Sequence, residues 1–525
     1  MELNSSLCKF KPGGAIMELY HLSANDLAKG IRNKEFTSVQ VVQSFIERIQ
    51  RVNKDINAIA IMMFENAISE AITCDQMLAN GELRGPLHGV PVTIKESIHV
   101  AGTPSTWGIE GKDELIAEDD PSVARLKKAG AIILAKTNAM QLLMGCETFN
   151  PIYGRTNNPW NLERTSGGSS GGEGAAIAYM CSSLGLGTDI GGSIRTPAHF
   201  CGIHGLKPTP GIIPQHPPQG ISHIQREASS MSSIGPLART VGDLTLAFEI
   251  LSEQTMNIQR IKGLKIGMWT NDHILTPSPS ITRILKEAGH VLEEAGAEVV
   301  PYELPRIKEN MQYFFGMMCG DGGKGIDQTM GLSKQEYPIQ KIRSVQKMGK
   351  IKRKLAVSAL KLLKQEIVSS VILPFTGAKT KEEYQELVSR REQYQALILN
   401  DLRDNNIDAL ICPIFPTPAL YHNGSKNLSY EGAYNSLINF LGFPAGAFAY
   451  SFVRDGEEMI ERDPTDKVLH AAMEAEKNSV GLPVGFQVVS IPHHEHIVLS
   501  IMDHLEQTSQ LRSDYPPKES IVAFK

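Results

Sequence analysis

The stretch Thr165–Ser193, TSGGSSGGEGAAIAYMCSSLGLGTDIGGS, constrains this chain more than any other. It is built almost wholly from glycine and small residues. Such a run lets backbone approach backbone closely, and its glycines accept positive φ at little steric cost. Two glycine-flanked serine sites, Ser169–Ser170 and Ser193, stand on either side of a short small-residue helix. A glycine loop that opens a helix presents unpaired N–H groups, which suit an anion or a developing oxyanion. The second site, Gly187 to Ser193, sets a serine behind two glycines at the end of an apolar strand. Backbone amides there suit an oxyanion hole, in which each donor is worth about 3–4 kcal/mol in a transition state.

A serine hydroxyl is a poor nucleophile until a base takes its proton. Lys95 closes the apolar run HGVPVTIK and is the candidate base. It can act only when neutral. The free lysine pKa is about 10.4, and burial lowers it by several units. Val90, Pro91, Val92 and Ile94 before it favour burial. Alone, a lysine at a strand end reads as solvated, and glycine loops alone read equally as tight turns or a phosphate cradle. Lys95, Ser169 and Ser193 together have the make-up of a Ser–Ser–Lys hydrolytic centre that cleaves amide bonds.

Other motifs are weaker. Gly167–Gly171 formally matches G-x-S-x-G, which would make Ser169 the nucleophile and require a downstream Asp and His; no His stands out among fifteen. Two S-x-x-K matches, Ser344–Lys347 and Ser358–Lys361, sit in a cationic stretch where chance produces them. Gly320–Gly325 is not a P-loop, because Gly325 holds the Ser/Thr position. No His, Cys and acid cluster has metal-ligand spacing, so no metal and no cofactor are expected.

The chain has 525 residues, 42 % hydrophobic and 21 % charged, a soluble globular composition. A net charge of −5 gives no global basis for nucleic-acid binding. Seven cysteines without a CxxC pair argue against a disulfide framework and for a reducing compartment. The start, MELNSSLCKFKPGG, has no signal-peptide core, and no run of about 18 apolar residues occurs. The expectation is an intracellular, cytoplasmic protein without a transmembrane helix.

Residues 1–16 read as a flexible lead. SAND from Ser23 and TSVQ from Thr37 are helix starts, the second helix presenting Val41, Val42, Phe45, Ile46 and Ile49 on one face. Seven apolar segments follow at helix-length intervals: VPVTIK, AIILAK, LGLGTDI, LKIGMW, AEVVPY, DALICP and VGFQVV. This pattern predicts an α/β architecture, a buried sheet with helices on its faces, in one domain.

GGSSGG followed by GTDIGGSIRTPAHFCGIHGLKPT resembles the amidase signature enzymes, and the resemblance runs from about residue 17 to 510. It implies the amidase-signature fold, a mixed twisted β-sheet core surrounded by α-helices, as a single large domain over 17–525. It also implies roles. Ser193 is then the nucleophile and Lys95 the general base. Ser169, preceded by a cis peptide bond, relays the proton between them. The amides of Ile190, Gly191, Gly192 and Ser193 hold the oxyanion, and Ser170, Asp189 and Arg195 orient the centre.

Residues 341–364 carry nine Lys or Arg and no acid. A helix over 350–367 places Lys350, Arg353, Lys354, Lys361 and Lys364 on one side and Ile351, Leu355, Leu362, Leu363 and Ile367 on the other, which Lys352 and Glu366 interrupt; Val371, Ile372, Leu373, Pro374 and Phe375 extend the apolar patch. Such a helix either lies in a membrane interface or packs on the surface with a solvated charged face. With NNIDALICP, GFPAG and NSVGLPVGFQVV, the insertion at about 335–376 looks most like the fatty acid amide hydrolase branch. That implies a membrane cap, a lipid amide substrate, peripheral attachment to internal membranes and a homodimer. The branch often has a membrane-spanning N-terminal helix, which is not seen here. Two alternatives stand beside it. One is the glutaminase component of a tRNA-dependent amidotransferase or a general small-amide amidase; the other is an idle lipid-binding protein.

Overall fold

All seven apolar segments become strands of one sheet. The computed structural model describes residues 9–10, 17–216, 228, 230–428, 430–510 and 512–516. Of the lead expected over 1–16, only Lys9–Phe10 lies within them, paired antiparallel with Met17–Glu18. The rest of that expectation lies outside the described residues.

The sheet has eleven strands, in the order Glu298–Pro301, Lys265–Met268, Ala409–Pro413, Pro483–Ser490, Ala445–Phe452, His204–Lys207, Ser233–Ala238, Leu184–Asp189, Pro91–Lys95, Ile132–Thr137 and Ile59–Met62. It is mixed, as expected. Pro91–Lys95 runs parallel to both neighbours, and so does Lys265–Met268. The remaining pairs are antiparallel. Helices cover both faces, so the inner strands are buried along their whole length. Each fully buried Val, Leu or Ile there contributes about 1.5–3 kcal/mol.

Four strands escape the apolar pattern: Ile59–Met62, His204–Lys207, Ser233–Ala238 and Ala445–Phe452. HGLK and SIGPLA carry Gly or Pro, and AGAFAYSF is rich in Ala and Gly, all poor strand residues. Pairing on both sides places these three in the sheet regardless.

Both marked helix starts are real. The Ser23 hydroxyl accepts the Asp26 N–H. Thr37 and Gln40 cap Ser38–Ile56 reciprocally, and its Val41, Val42, Phe45, Ile46 and Ile49 are buried. The small-residue helix, Gly171–Ala178, is buried at every position. It packs close to the sheet because Gly185 and Gly187 face it. A Cβ on Gly185 would overlap the Glu173 carboxylate, and one on Gly187 would lie 3.0 Å from Ser170 Oγ.

The insertion forms the helices Tyr337–Gln346 and Lys350–Leu362, then a short π-helical turn at Val368–Ile372. The expected helix to 367 ends early: Lys364 has φ +56° and turns the chain inward. Two of the residues assigned to a membrane cap are therefore corrected. Ile367 is 5 % exposed and belongs to the main core. Arg353 folds back and donates to the Thr376 carbonyl. Ile351, Leu355, Leu362 and Leu363 are 65–86 % exposed, and Lys354 is exposed beside them. Among the described residues, no helix is long and apolar enough to cross a membrane.

This boundary is testable by denaturant unfolding. Ile367→Ala should cost about 2–5 kcal/mol, as buried large-to-small changes do. Leu362→Ala, five positions earlier, should change stability by less than about 0.5 kcal/mol.

Candidate active site

Lys95 ends an interior strand and is wholly buried. Its Nζ lies 2.7 Å from Ser169 Oγ and 2.8 Å from Thr188 Oγ1. An ammonium donates to both hydroxyls; a neutral amine has a lone pair to accept the Ser169 proton. Burial pushes the Lys95 ammonium down to about 7, against the opposing charges of Asp189, Glu173 and Glu96. The expectation of a near-neutral lysine rested on its apolar neighbours, and the buried strand supplies that environment.

Ser169 follows a cis peptide bond with Gly168. Its neighbour Ser170 precedes the Gly171–Ala178 helix and donates from its hydroxyl to the Thr188 carbonyl at 3.3 Å. Ser193 is half-buried. It joins the serine loop through backbone, its carbonyl accepting the Ser170 N–H at 3.2 Å. No side-chain hydrogen bond links Ser169 and Ser193 among the described residues.

Asp189 and Arg195 hold the loop between them. Both are fully buried. Arg195 Nε and Nη2 donate to the two Asp189 oxygens at 3.0 and 2.9 Å. The same carboxylate accepts the N–H groups of Gly192 at 2.8 Å, Ile194 at 3.1 Å and Arg195 at 3.4 Å. Burial alone would raise the Asp189 carboxyl, but the Arg195 charge and these donors overcome it and hold it far below the usual carboxylate range. Arg195 also donates to Gln487 Oε1 at 2.8 Å and to Asn439 Oδ1. Gly192 takes φ +116°, and a Cβ there would run into Asn435 Nδ2, so glycine is required twice over.

This changes the expected oxyanion set. Gly192 already gives its N–H to Asp189. The N–H groups of Ile190, Gly191 and Ser193 have no protein acceptor among the described residues.

Several residues here carried no role in the sequence reading. Thr188 holds the Lys95 amine, and its place beside Asp189 in GTDIGGS was the only hint. Glu173 is buried near Lys95 and accepts the hydroxyls of Thr93 at 2.7 Å and Thr137 at 2.9 Å. Burial pushes its carboxyl up to about 8, with the two threonines and Lys95 opposing. Asn435, Asn439 and Gln487 lie 240, 244 and 292 positions from Arg195, and no local pattern ties them to the site.

A family model described as Amidase matches residues 40–499. The chain is 31 % identical to fatty-acid amide hydrolase 1 of Sus scrofa, over 93 % of this chain and 86 % of that relative. It is 30 % identical to fatty-acid amide hydrolase 2 of Homo sapiens, over 93 % and 89 %. It is also 30 % identical to a glutamyl-tRNA(Gln) amidotransferase component of Carboxydothermus hydrogenoformans, over 95 % and 100 %. A solved fatty acid amide hydrolase structure matches with a TM-score of 0.78 at 25 % identity, over 93 % of this chain and 85 % of that one.

Asp189→Asn tests the electrostatic frame. It keeps the shape but leaves Arg195 buried without a counter-charge, a change that costs about 3–5 kcal/mol. The unfolding midpoint should fall accordingly; an unchanged midpoint would show that the pair does not hold the loop.

Proposed function

The chain belongs to the amidase family, and on that premise we propose that it cleaves long-chain fatty acid amides to a fatty acid and an amine. The amide hydrolase class follows from the family; the lipid substrate is our reading. The observation that carries the chemistry is the buried Lys95 amine 2.7 Å from Ser169 Oγ, beside the Ser193 loop.

In this reading Ser193 attacks the amide carbonyl. Ser169 takes the Ser193 proton and passes its own to neutral Lys95. The carbonyl oxygen becomes an oxyanion facing the free amides of Ile190, Gly191 and Ser193. Lys95 returns the proton through Ser169 to the leaving nitrogen, because an unprotonated amine leaves poorly. Water then attacks the acyl-serine by the same relay and releases the acid. Ser170, Asp189 and Arg195 hold the two loops in register.

Support for a lipid substrate comes from the insertion and from the fatty-acid amide hydrolases among the relatives. The exposed Ile351, Leu355, Leu362 and Leu363 lie beside Lys350, Lys352, Lys354, Lys361 and Lys364, a composition suited to an anionic bilayer surface. The amidotransferase component is equally similar in sequence, so the substrate comparison is decisive.

A long-chain N-acylethanolamine, a short-chain anilide and glutamine should be offered with and without vesicles containing anionic lipid. The expected order places the long-chain amide first, faster with vesicles. A fluorophosphonate should label Ser193, and Ser193→Ala should abolish labelling. Glutamine as the preferred substrate, or labelling that survives Ser193→Ala, would reject the reading.

The pH profile follows from Lys95. Only its neutral form is a base, so kcat/KM should be lost as pH falls through about 7 and recover as pH rises. Lys95→Ala should lower kcat by about 10²–10⁴-fold, the usual contribution of a general base. It should also abolish the step near pH 7, leaving a residual rate that rises with hydroxide.

A further inference from the structure

The segment Met140–Thr148 touches the catalytic serine loop on one side and the root of the insertion on the other. On the serine side, the Met140 N–H donates to the Ser169 carbonyl at 3.2 Å. The Thr148 hydroxyl donates to the Gly167 carbonyl at 2.8 Å and accepts the Gly171 N–H at 3.0 Å. The backbone at Gly145–Glu147 lies directly on Gly168, where a Cβ would overlap the Glu147 carbonyl oxygen. Four contacts thus grip the loop on both flanks of Ser169.

On the insertion side, Gln141 is fully buried. Its Nε2 donates to the Lys334 carbonyl at 2.9 Å, and its Oε1 accepts the Glu336 N–H at 2.8 Å. Glu147 is 1 % exposed. Its carboxylate accepts the Tyr337 hydroxyl at 3.0 Å, the Ser425 hydroxyl at 2.6 Å and the N–H groups of Ser425 at 3.0 Å and Asn423 at 2.9 Å. The Tyr337 ring stacks on Phe149 at 5.4 Å.

Packing says the same. Leu142 is not part of the main core. It belongs to a separate small cluster with Ile109, Ile326, Met330 and Ile339, the last on the Tyr337–Gln346 helix. Leu142 and Leu143 both adopt left-handed backbone, φ 52° and 59°. For leucine such a conformation costs on the order of 1–3 kcal/mol per residue, and it persists only where surrounding contacts over-determine it. Here those contacts come from Ile339 of the insertion together with Ile109, Ile326 and Met330, and from the Trp107 carbonyl, which accepts the Leu142 N–H at 2.9 Å.

We propose that Met140–Thr148 is a mechanical bracket through which the seating of the insertion sets the position of Ser169, with Gln141 and Glu147 as its positioning residues. The inference rests on the Ser193–Ser169–Lys95 reading above and deepens it. A ligand that shifts the Tyr337–Gln346 helix moves Leu142, Gln141 and Glu147 together, and with them the loop that carries the relay serine. An insertion seated in its present place holds Ser169 against Lys95; an unseated one slows acylation without touching the substrate.

The experiment uses Tyr337→Phe, Glu147→Gln and the double variant of the full chain. A short soluble anilide reports kcat and KM, and fluorophosphonate reports the rate of Ser193 labelling. Each single variant should lower kcat and the labelling rate by about two- to thirtyfold, the range of mutations along a coupling network. KM should stay within about twofold, since uniform binding is untouched. The double variant should be no slower than the slower single one, because both remove one link. Amide hydrogen exchange over Gly167–Gly171 supplies a readout that needs no activity, and Tyr337→Phe should speed it. Unchanged exchange there, or unchanged kcat in variants that fold, overturns the bracket. If Glu147→Gln fails to fold, Tyr337→Phe carries the test alone, since its half-buried ring remains stacked. Absence of Ser193 labelling in the unaltered protein would fault the assigned reaction instead, and the exchange result would still judge the bracket.

Discussion

The buried pair Asp189–Arg195 is the constraint on which the rest of the site depends. A carboxylate at the end of an interior strand is costly to bury unless every lone pair is used. Here the Arg195 guanidinium donates one bond to each oxygen, and the N–H groups of Gly192, Ile194 and Arg195 complete the set, Oδ2 accepting three donors. The same bonds force the chain from Asp189 to Arg195 into a tight loop. That loop fixes where Ser193 stands and leaves the neighbouring amides free. Electrostatic satisfaction and catalytic geometry are one arrangement.

Lys95 is the opposite case. Among the described residues, no carboxylate bonds to it directly. Its polar partners are two hydroxyls, and nearby charges already have other partners: Asp189 has Arg195, and Glu96 accepts the Thr106 and Trp107 N–H groups. Desolvation therefore outweighs attraction and holds the amine well below the ordinary lysine range, as the proposed role of base requires. The two buried charges contrast: Asp189 is compensated by a counter-charge, and Lys95 has only hydroxyl partners.

The meeting of Lys95 and Ser169 was more legible in the sequence than the partners around them. Glycines, two serines and a lysine behind an apolar run are local signals, and the structure brings Lys95 to Ser169. Seven strands were legible because they are continuous apolar runs. Of the other four, HGLK and SIGPLA become strands only through their neighbours, AGAFAYSF is rich in Ala and Gly, and IAIM is apolar but only four residues long. Ile367 misled because helical periodicity was carried past Lys364, where the backbone turns. Glu147 and Gln141 were invisible for another reason: their partners lie about 190 positions away, and a lone acid or amide in MQLLMGCETFN has no periodic or spacing signature. Asp189 engaging Gly192 was equally illegible, because which amide a side chain occupies depends on the turn and not on composition.

The small cluster around Leu142 has a thermodynamic meaning of its own. Only a handful of apolar side chains hold the insertion root, apart from the main core. Cooperative units of that size open at lower free energy than the whole molecule. On the bracket proposed above, inactivation by heat and melting of the sheet are separate events, and the first reverses while the second has not begun. A preparation can hold its complete secondary structure and still have lost the alignment of one serine.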